Sequence, residues 1–309
     1  MGVSIITSLY RSDAHIESYM RHVERMMPAL YQASIPLEIV IVANDATPEE
    51  RSAIERFQHI PNLAIKALHV PRESLYTSWN RGIEAASYDV LGFWNVDDIR
   101  TSAGIQQGHQ LLQDGTIQIV DFPYEIVQDG IAQRMPSQYK PDSLSPKSVT
   151  APFFMFHRHL YQQADGFNPN FRIVGDYEWS KRAAVRNANF AAGDVVAGQF
   201  FLHGGNLSGG NSPLEWVEYN IVLLWHGLDQ DIRPVDPHLM QIAWEKWGYQ
   251  GAELQPKTAE WLWGDGAQAR YEQYQKERTQ HPLLRRMRLA LARRNILQSV
   301  EWNVHNRSK

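Results

Sequence analysis

The 309-residue chain is 43% hydrophobic and 11% aromatic, enough apolar material to bury one large core or two modest ones. Its formal net charge of -4 and pI near 6.3 argue against a general nucleic-acid binder, whose affinity rests on neutralising phosphates with a basic surface. With no cysteine, disulfides and thiolate metal sites are excluded, so any metal is held by oxygen and histidine.

Met1-Gly2 leads straight into the apolar run Val3 to Leu9, without a charged leader and long apolar stretch behind it. No uninterrupted apolar segment approaches the ~18 residues of a membrane span, and the chain reads as soluble and cytoplasmic. Val3 to Leu9 is the first strand. Ser12-Asp13 then offers N-cap oxygens to a helix with Ile16, Met20, Val23, Met27 and Leu30 on one face. Leu37 to Val42 is a second buried strand, and Thr47-Pro48-Glu49-Glu50 is a capping box with proline at the first helical position. Leu63 to Val70 is a third strand, Ser74 to Ala86 a helix and Asp89 to Trp94 a fourth strand. This alternation predicts a mostly parallel sheet with helices on its faces.

After about residue 120 the pattern loosens, with Pro136, Pro141, Pro146 and Pro152 marking a connection that is extended or mobile. Tyr177 to Ala184 reads as helical. From residue 211 onward helical signals dominate, and the tryptophans there read as packing of a helical appendage, with sugar stacking the alternative for one or two of them. Leu283 to Val300 interleaves five arginines with leucines. A solvated or protein-packed helix is the first reading of it, and peripheral contact with an anionic membrane surface the second.

Acidic residues recur after these strands: Asp45 after the second, Asn95-Val96-Asp97-Asp98 after the fourth, and Gly175-Asp176-Tyr177-Glu178 further on. Open α/β sheets bind ligands in the crevice outside the carboxyl ends of their strands. The Asp97-Asp98 pair is the ligand type a divalent cation takes when substrate phosphates supply its remaining oxygens, although Asp98 equally suits an N-cap for a helix starting at Ile99. Asp176 suits a general base or a helix cap, and Glu178 either a second base or an ion pair with Arg182 one turn on. His203-Gly204-Gly205-Asn206 reads either as an ordinary turn or as a loop that wraps a diphosphate, its histidine ligating metal.

The stretch Leu75-Tyr76-Thr77-Ser78-Trp79-Asn80-Arg81-Gly82-Ile83-Glu84-Ala85-Ala86, continued by Val90 to Asp98, resembles the family 2 glycosyltransferases. Within them it resembles a bacterial branch whose metal motif reads Asn-x-Asp-Asp. The resemblance covers about residues 3 to 212. It implies a GT-A fold: a Rossmann-like, mostly parallel sheet flanked by helices, residues 1–210, followed by a helical C-terminal extension, residues 211–309. It further implies nucleotide-binding positions at Thr7, Leu9, Tyr10, Asn44, Asp45, Asn80, Asn95 and Asp97, with Asn44 and Asp45 rivals for one contact because Ala43-Asn44-Asp45-Ala46 departs from the usual Asp-Asp-Gly-Ser.

By the same resemblance Asp97, Asp98 and His203 hold Mn²⁺ or Mg²⁺, and Asp176 is the base of an inverting transfer, with Glu178 the second choice. Gly175 stands where many members have glutamate. The implied reaction moves one sugar from a nucleoside-diphosphate donor, a UDP-sugar first, to a glycan or lipid-linked hydroxyl in surface polysaccharide or glycoconjugate synthesis. The Gln-x-x-Arg-Trp motif and membrane helices of polymerising relatives are missing, so single additions are expected. Two alternatives stand beside this: a catalytically silent glycan-binding protein of the same fold, and a sugar nucleotidyltransferase, whose glycine-rich basic loop is replaced here by Thr7-Ser8-Leu9-Tyr10-Arg11.

Overall fold

The computed structural model describes residues 2–138, 150–204, 206, 215, 218, 219 and 222. The chain divides into two compact units, Met1–Asn206 and Leu207–Lys309. Apart from Glu215, Glu218, Tyr219 and Val222, the expected helical extension, with its arginine-rich segment and all its tryptophans, lies outside the described residues.

Among its described residues the first unit has eleven strands and six helices. Strand β1 (Val3–Leu9) leads to α1 (Asp13–Gln32), β2 (Leu37–Asn44) to α2 (Pro48–Phe57), and β3 (Leu63–Val70) to α3 (Leu75–Ala85). Next come β4 (Val90–Phe93), β5 (Ile99–Arg100), α4 (Ser102–Leu112), β6 (Ile119–Asp121), β7 (Tyr124–Gln128) and β8 (Ile131–Met135). The unit ends with β9 (Met155–His157), α5 (Arg158–Gln163), α6 (Gly175–Val185), β10 (Phe190–Ala192) and β11 (Gly198–Phe201).

Seven strands form the main sheet in the order β10-β6-β9-β4-β1-β2-β3. Within it β9 alone runs against its neighbours β4 and β6, and the other pairs are parallel. Strands β1 and β2 are buried along almost their whole length, in register from Val3 opposite Leu37 to Leu9 opposite Ala43. That is why they read as continuous apolar runs instead of alternating ones. A smaller sheet, β5-β11-β7-β8, includes a hairpin that proline counting missed. Its turn is Asp129-Gly130, both at positive φ, the geometry a two-residue hairpin loop requires.

Helix α1 buries Ile16, Met20, Val23, Met27 and Leu30 as its periodicity predicts. Its start differs from the sequence expectation: the Ser12 side chain caps nothing and donates to the Tyr10 carbonyl, at 3.2 Å. The Ser12 N–H is taken by Glu50 Oε1 at 2.5 Å, while Glu50 Oε2 accepts from Thr47 N at 2.8 Å. The capping box of α2 is therefore formed as predicted, and its buried glutamate also ties down the loop after β1. Among the described residues no helix is long and apolar enough to cross a membrane.

Candidate active site

Strands β1, β2, β4 and β6 point the same way, so the loops at their carboxyl ends share one edge of the sheet. The loop after β4 is held rigidly there. Trp94 N donates to Ile6 O at 3.1 Å, the Trp94 indole to Asp98 O at 3.0 Å, and Asp98 N to Asn95 O at 3.1 Å. Beneath it the buried Arg100 guanidinium donates to the carbonyls of Phe93 and Phe153, stitching the end of β4 to the approach of β9.

This geometry separates the two adjacent aspartates. Asp97 is partly exposed, and its Oδ2 lies 3.0 Å from His203 Nε2, although the two are more than a hundred residues apart in sequence. Asp98 is buried, and its oxygens accept from Phe201 N at 3.1 Å and Asn95 Nδ2 at 3.2 Å. Burial first and the neighbouring Asp97 charge second push its carboxyl up to about 7. Asp98 thus does not cap a helix, since Thr101 caps α4, and its two oxygens are engaged by Phe201 N and Asn95 Nδ2 instead of facing His203. It anchors the end of β11 two residues before His203, and so sets the Asp97–His203 pair. No group of three or more acidic or histidine side chains able to hold a metal occurs among the described residues. The Asp97 carboxylate oxygen is the donor type that Mn²⁺ or Mg²⁺ takes at a site where water and phosphate oxygens fill the other positions, with the His203 imidazole beside it as a nitrogen donor better suited to Mn²⁺ than to Mg²⁺.

The expected nucleotide positions fall into two groups. Asp45 is exposed in the left-handed region at φ 52°, its N–H held by Val70 O at 2.9 Å. Asn44 is buried, and its amide clamps one residue of the facing loop, donating to Glu73 O and accepting from Glu73 N, both at 2.9 Å. Asn80 does the same to Phe167, donating to its carbonyl at 2.8 Å and accepting from its N–H at 2.9 Å. Thr7 is buried between the Tyr19 hydroxyl and the Trp94 carbonyl, and Leu9 lies in the core. The side chains of Thr7, Leu9, Asn44 and Asn80 are therefore structural, because each is enclosed or has its polar atoms engaged by the protein. Asn95 is exposed beside Asp98, and Tyr10 stays half-buried at the edge.

The residue overlooked is Arg72, whose guanidinium sits 3.4 Å from the centroid of the Tyr10 ring, with Arg11 at 5.5 Å. Asn44 sets this pair up by holding the adjacent Glu73. The signal was present, since Arg72 stands in the loop after β3 at the same edge, but that loop carries no acidic residue of the expected motifs.

Asp176 occupies the first turn of α6, after Gly175. Its Oδ1 accepts from Tyr177 N at 2.9 Å and lies 3.3 Å from the Tyr76 hydroxyl on the first turn of α3. Burial raises its pKa, and these hydrogen bonds only partly oppose the shift, which is the tuning a carboxylate base needs. Glu178 is enclosed and paired with Arg182 through Nε at 2.5 Å and Nη2 at 2.8 Å. The ion pair, its alternative reading, is the one realised, and a carboxylate so enclosed has no path to an acceptor.

The site thus joins a carboxylate–imidazole pair, a stacked tyrosine–arginine pair and a raised carboxyl around one sheet edge. A family model, Glycosyl transferase family 2, matches residues 4–185, more than half of the chain. The chain belongs to that family. This glycosyltransferase is accordingly a transferase enzyme of GT-A architecture, the architecture also seen in its structural neighbours. The S. aureus TarS 1-349 structure in complex with UDP-GlcNAc aligns with TM-score 0.58 and 14% identity, over 85% of this chain and 78% of that one. A mannosyltransferase, PcManGT from Pyrobaculum calidifontis, solved with GDP-Man and Mn²⁺, aligns with TM-score 0.54 and 14% identity, over 97% of this chain and 86% of that one. No curated protein sequence matches the chain.

Proposed function

We propose that this glycosyltransferase moves a single sugar from a nucleoside-diphosphate donor, a UDP-sugar first, to a hydroxyl of a glycan or lipid-linked acceptor, inverting the anomeric carbon. The observation that carries the reading is the Asp97–His203 contact at 3.0 Å, because the fold spends a β-strand and a buried carboxylate on bringing that pair together. The neighbours with UDP-GlcNAc and GDP-Man support the donor class.

Asp97 and His203 would hold Mn²⁺ or Mg²⁺, which when bound neutralises charge developing on the leaving diphosphate. Tyr10 and Arg72 offer a flat cationic surface for a base, and Asp45 an acceptor for an imide N–H or ribose hydroxyls. Asp176 takes the proton of the attacking hydroxyl as the new bond forms, a role worth about 10²–10⁴-fold. Its raised pKa makes it a stronger base than an exposed aspartate once ionised. A role in surface polysaccharide or glycoconjugate synthesis, a cytoplasmic location and peripheral membrane contact through residues 283–300 belong to the same proposal and rest on sequence resemblance and composition.

Calorimetric titration of UDP, GDP, ADP and dTDP, with Mn²⁺ and with EDTA, tests it. Selective binding of one nucleotide that vanishes in EDTA is expected; equal binding with and without metal would remove Asp97 and His203 from the donor site.

A further inference from the structure

We infer that Tyr76 is a positioning residue for the base, holding the Asp176 carboxylate through its hydroxyl, and that residue 175 is glycine so that the Tyr76 ring can reach it. The inference rests on the reading of Asp176 as base and adds a residue to it. Tyr76 is buried, its ring packed edge-on to Trp79 at 5.2 Å and stacked with Phe167 at 6.1 Å. That packing leaves the ring no freedom and aims the hydroxyl at the start of α6, where it donates to Ile173 O at 2.7 Å and lies 3.3 Å from Asp176 Oδ1.

Gly175 has no positive φ, so no backbone demand selects glycine there. A Cβ at that position would stand 2.6–2.7 Å from Cε2, Cδ2 and Cζ of Tyr76. Any side chain at 175 would therefore displace the ring that carries the hydroxyl. The glycine and the tyrosine form one device.

The hydroxyl has one proton, and Ile173 O and Asp176 Oδ1 both lie within its reach. While Asp176 is ionised it competes with Ile173 O for that proton. Once Asp176 has taken the acceptor's proton, the tyrosine proton returns to Ile173 O and the phenol keeps it throughout. Among the described residues this hydroxyl, the Tyr177 N–H and the Asp176 N–H are the groups that lower its pKa against burial, and no charged side chain contributes to the shift. Removing the hydroxyl removes a hydrogen bond to the charged form, so the carboxyl should titrate at higher pH.

The test compares the full-length wild type, Tyr76→Phe, Gly175→Ala and Asp176→Asn. Release of nucleoside diphosphate from UDP-GlcNAc and GDP-mannose with Mn²⁺ is followed against pH, alongside UDP affinity and the ¹³C titration of the Asp176 carboxyl. Tyr76→Phe, which keeps the ring packing, is expected to lower kcat about tenfold, a fraction of what the whole base contributes. It should also move the acidic limb and the carboxyl titration to higher pH while leaving UDP affinity unchanged. Gly175→Ala should reproduce these shifts. An unaltered titration and pH profile in Tyr76→Phe, with Asp176→Asn inactive, would overturn the positioning role alone and leave Tyr76 as core packing. Full turnover by Asp176→Asn would overturn the base reading and the inference with it.

Discussion

Asp97 and Asp98 are consecutive and chemically identical, yet one faces His203 and the other the backbone of β11. Asp97→Ala is accordingly expected to abolish metal-dependent UDP binding in calorimetry. Asp176→Asn should keep nucleotide binding and lose transfer by 10²-fold or more, on the order of a general base's contribution. It should also raise stability, with a defined sign. The folded-state pKa of Asp176 lies above its ordinary value of 3.8, so the stability of its protonated form is fully present below that value and is lost as pH rises through the folded one. The variant should therefore melt higher than wild type at about pH 8, and the two should converge below about pH 3.5. Thermal melts at the two pH values check this, and a lower melting point for the variant at pH 8 would mean that ionised Asp176 stabilises the fold. Residue type singles out Asp45, Asp97, Asp176 and His203 as candidates, and only the fold brings Asp97 to His203. The roles of Asn44 and Asn80 were not legible, because an amide serves a nucleotide and a neighbouring peptide equally well, and only the chain brought opposite it decides which.

At the scale of elements, local chemistry was the more reliable guide. The capping box of α2 and the apolar stripe of α1 form as their sequences require, whereas the cap of α1 depends on Glu50 arriving from 38 residues away. The hairpin of β7 and β8 carries its signal in Asp129-Gly130, a turn pair whose two positive φ values suit a two-residue loop. Asn44 joins β2 to the loop before α3. Asn44→Ala, which leaves both Glu73 backbone groups without that partner, should cost about 1–3 kcal/mol in urea denaturation and weaken UDP binding by freeing Arg72. Gly198 begins β11, and a Cβ there would lie 2.4 Å from the Ile99 carbonyl oxygen, which a side-chain rotation cannot relieve. Gly198→Ala should destabilise by about 1–3 kcal/mol in the same assay. Because β11 leads to His203, it should also weaken Mn²⁺-dependent nucleotide binding more than metal-free binding.

For the molecule as a whole, the strand–helix alternation of the first hundred residues sufficed to predict the parallel half of the sheet, since fully buried strands announce themselves as apolar runs. The antiparallel β9 and the second sheet were not predicted, because strands of two to five residues carry too little periodicity to separate from loop. We propose that the first unit is a domain in its own right. A fragment ending at Asn206 is expected to melt cooperatively and to bind UDP with Mn²⁺; a fragment that is unfolded by circular dichroism would place residues beyond 206 in its folding unit. By itself the sequence determined the family, the sheet edge at which chemistry gathers and the residue types found there, all of which come from local pattern and motif order. Tertiary structure alone decided which of two adjacent aspartates meets His203, which asparagines are clamps, that Arg72 stacks on Tyr10 and that Tyr76 reaches Asp176. Each of those outcomes depends on a distance between residues far apart in the chain, and such distances are fixed only when the core has packed.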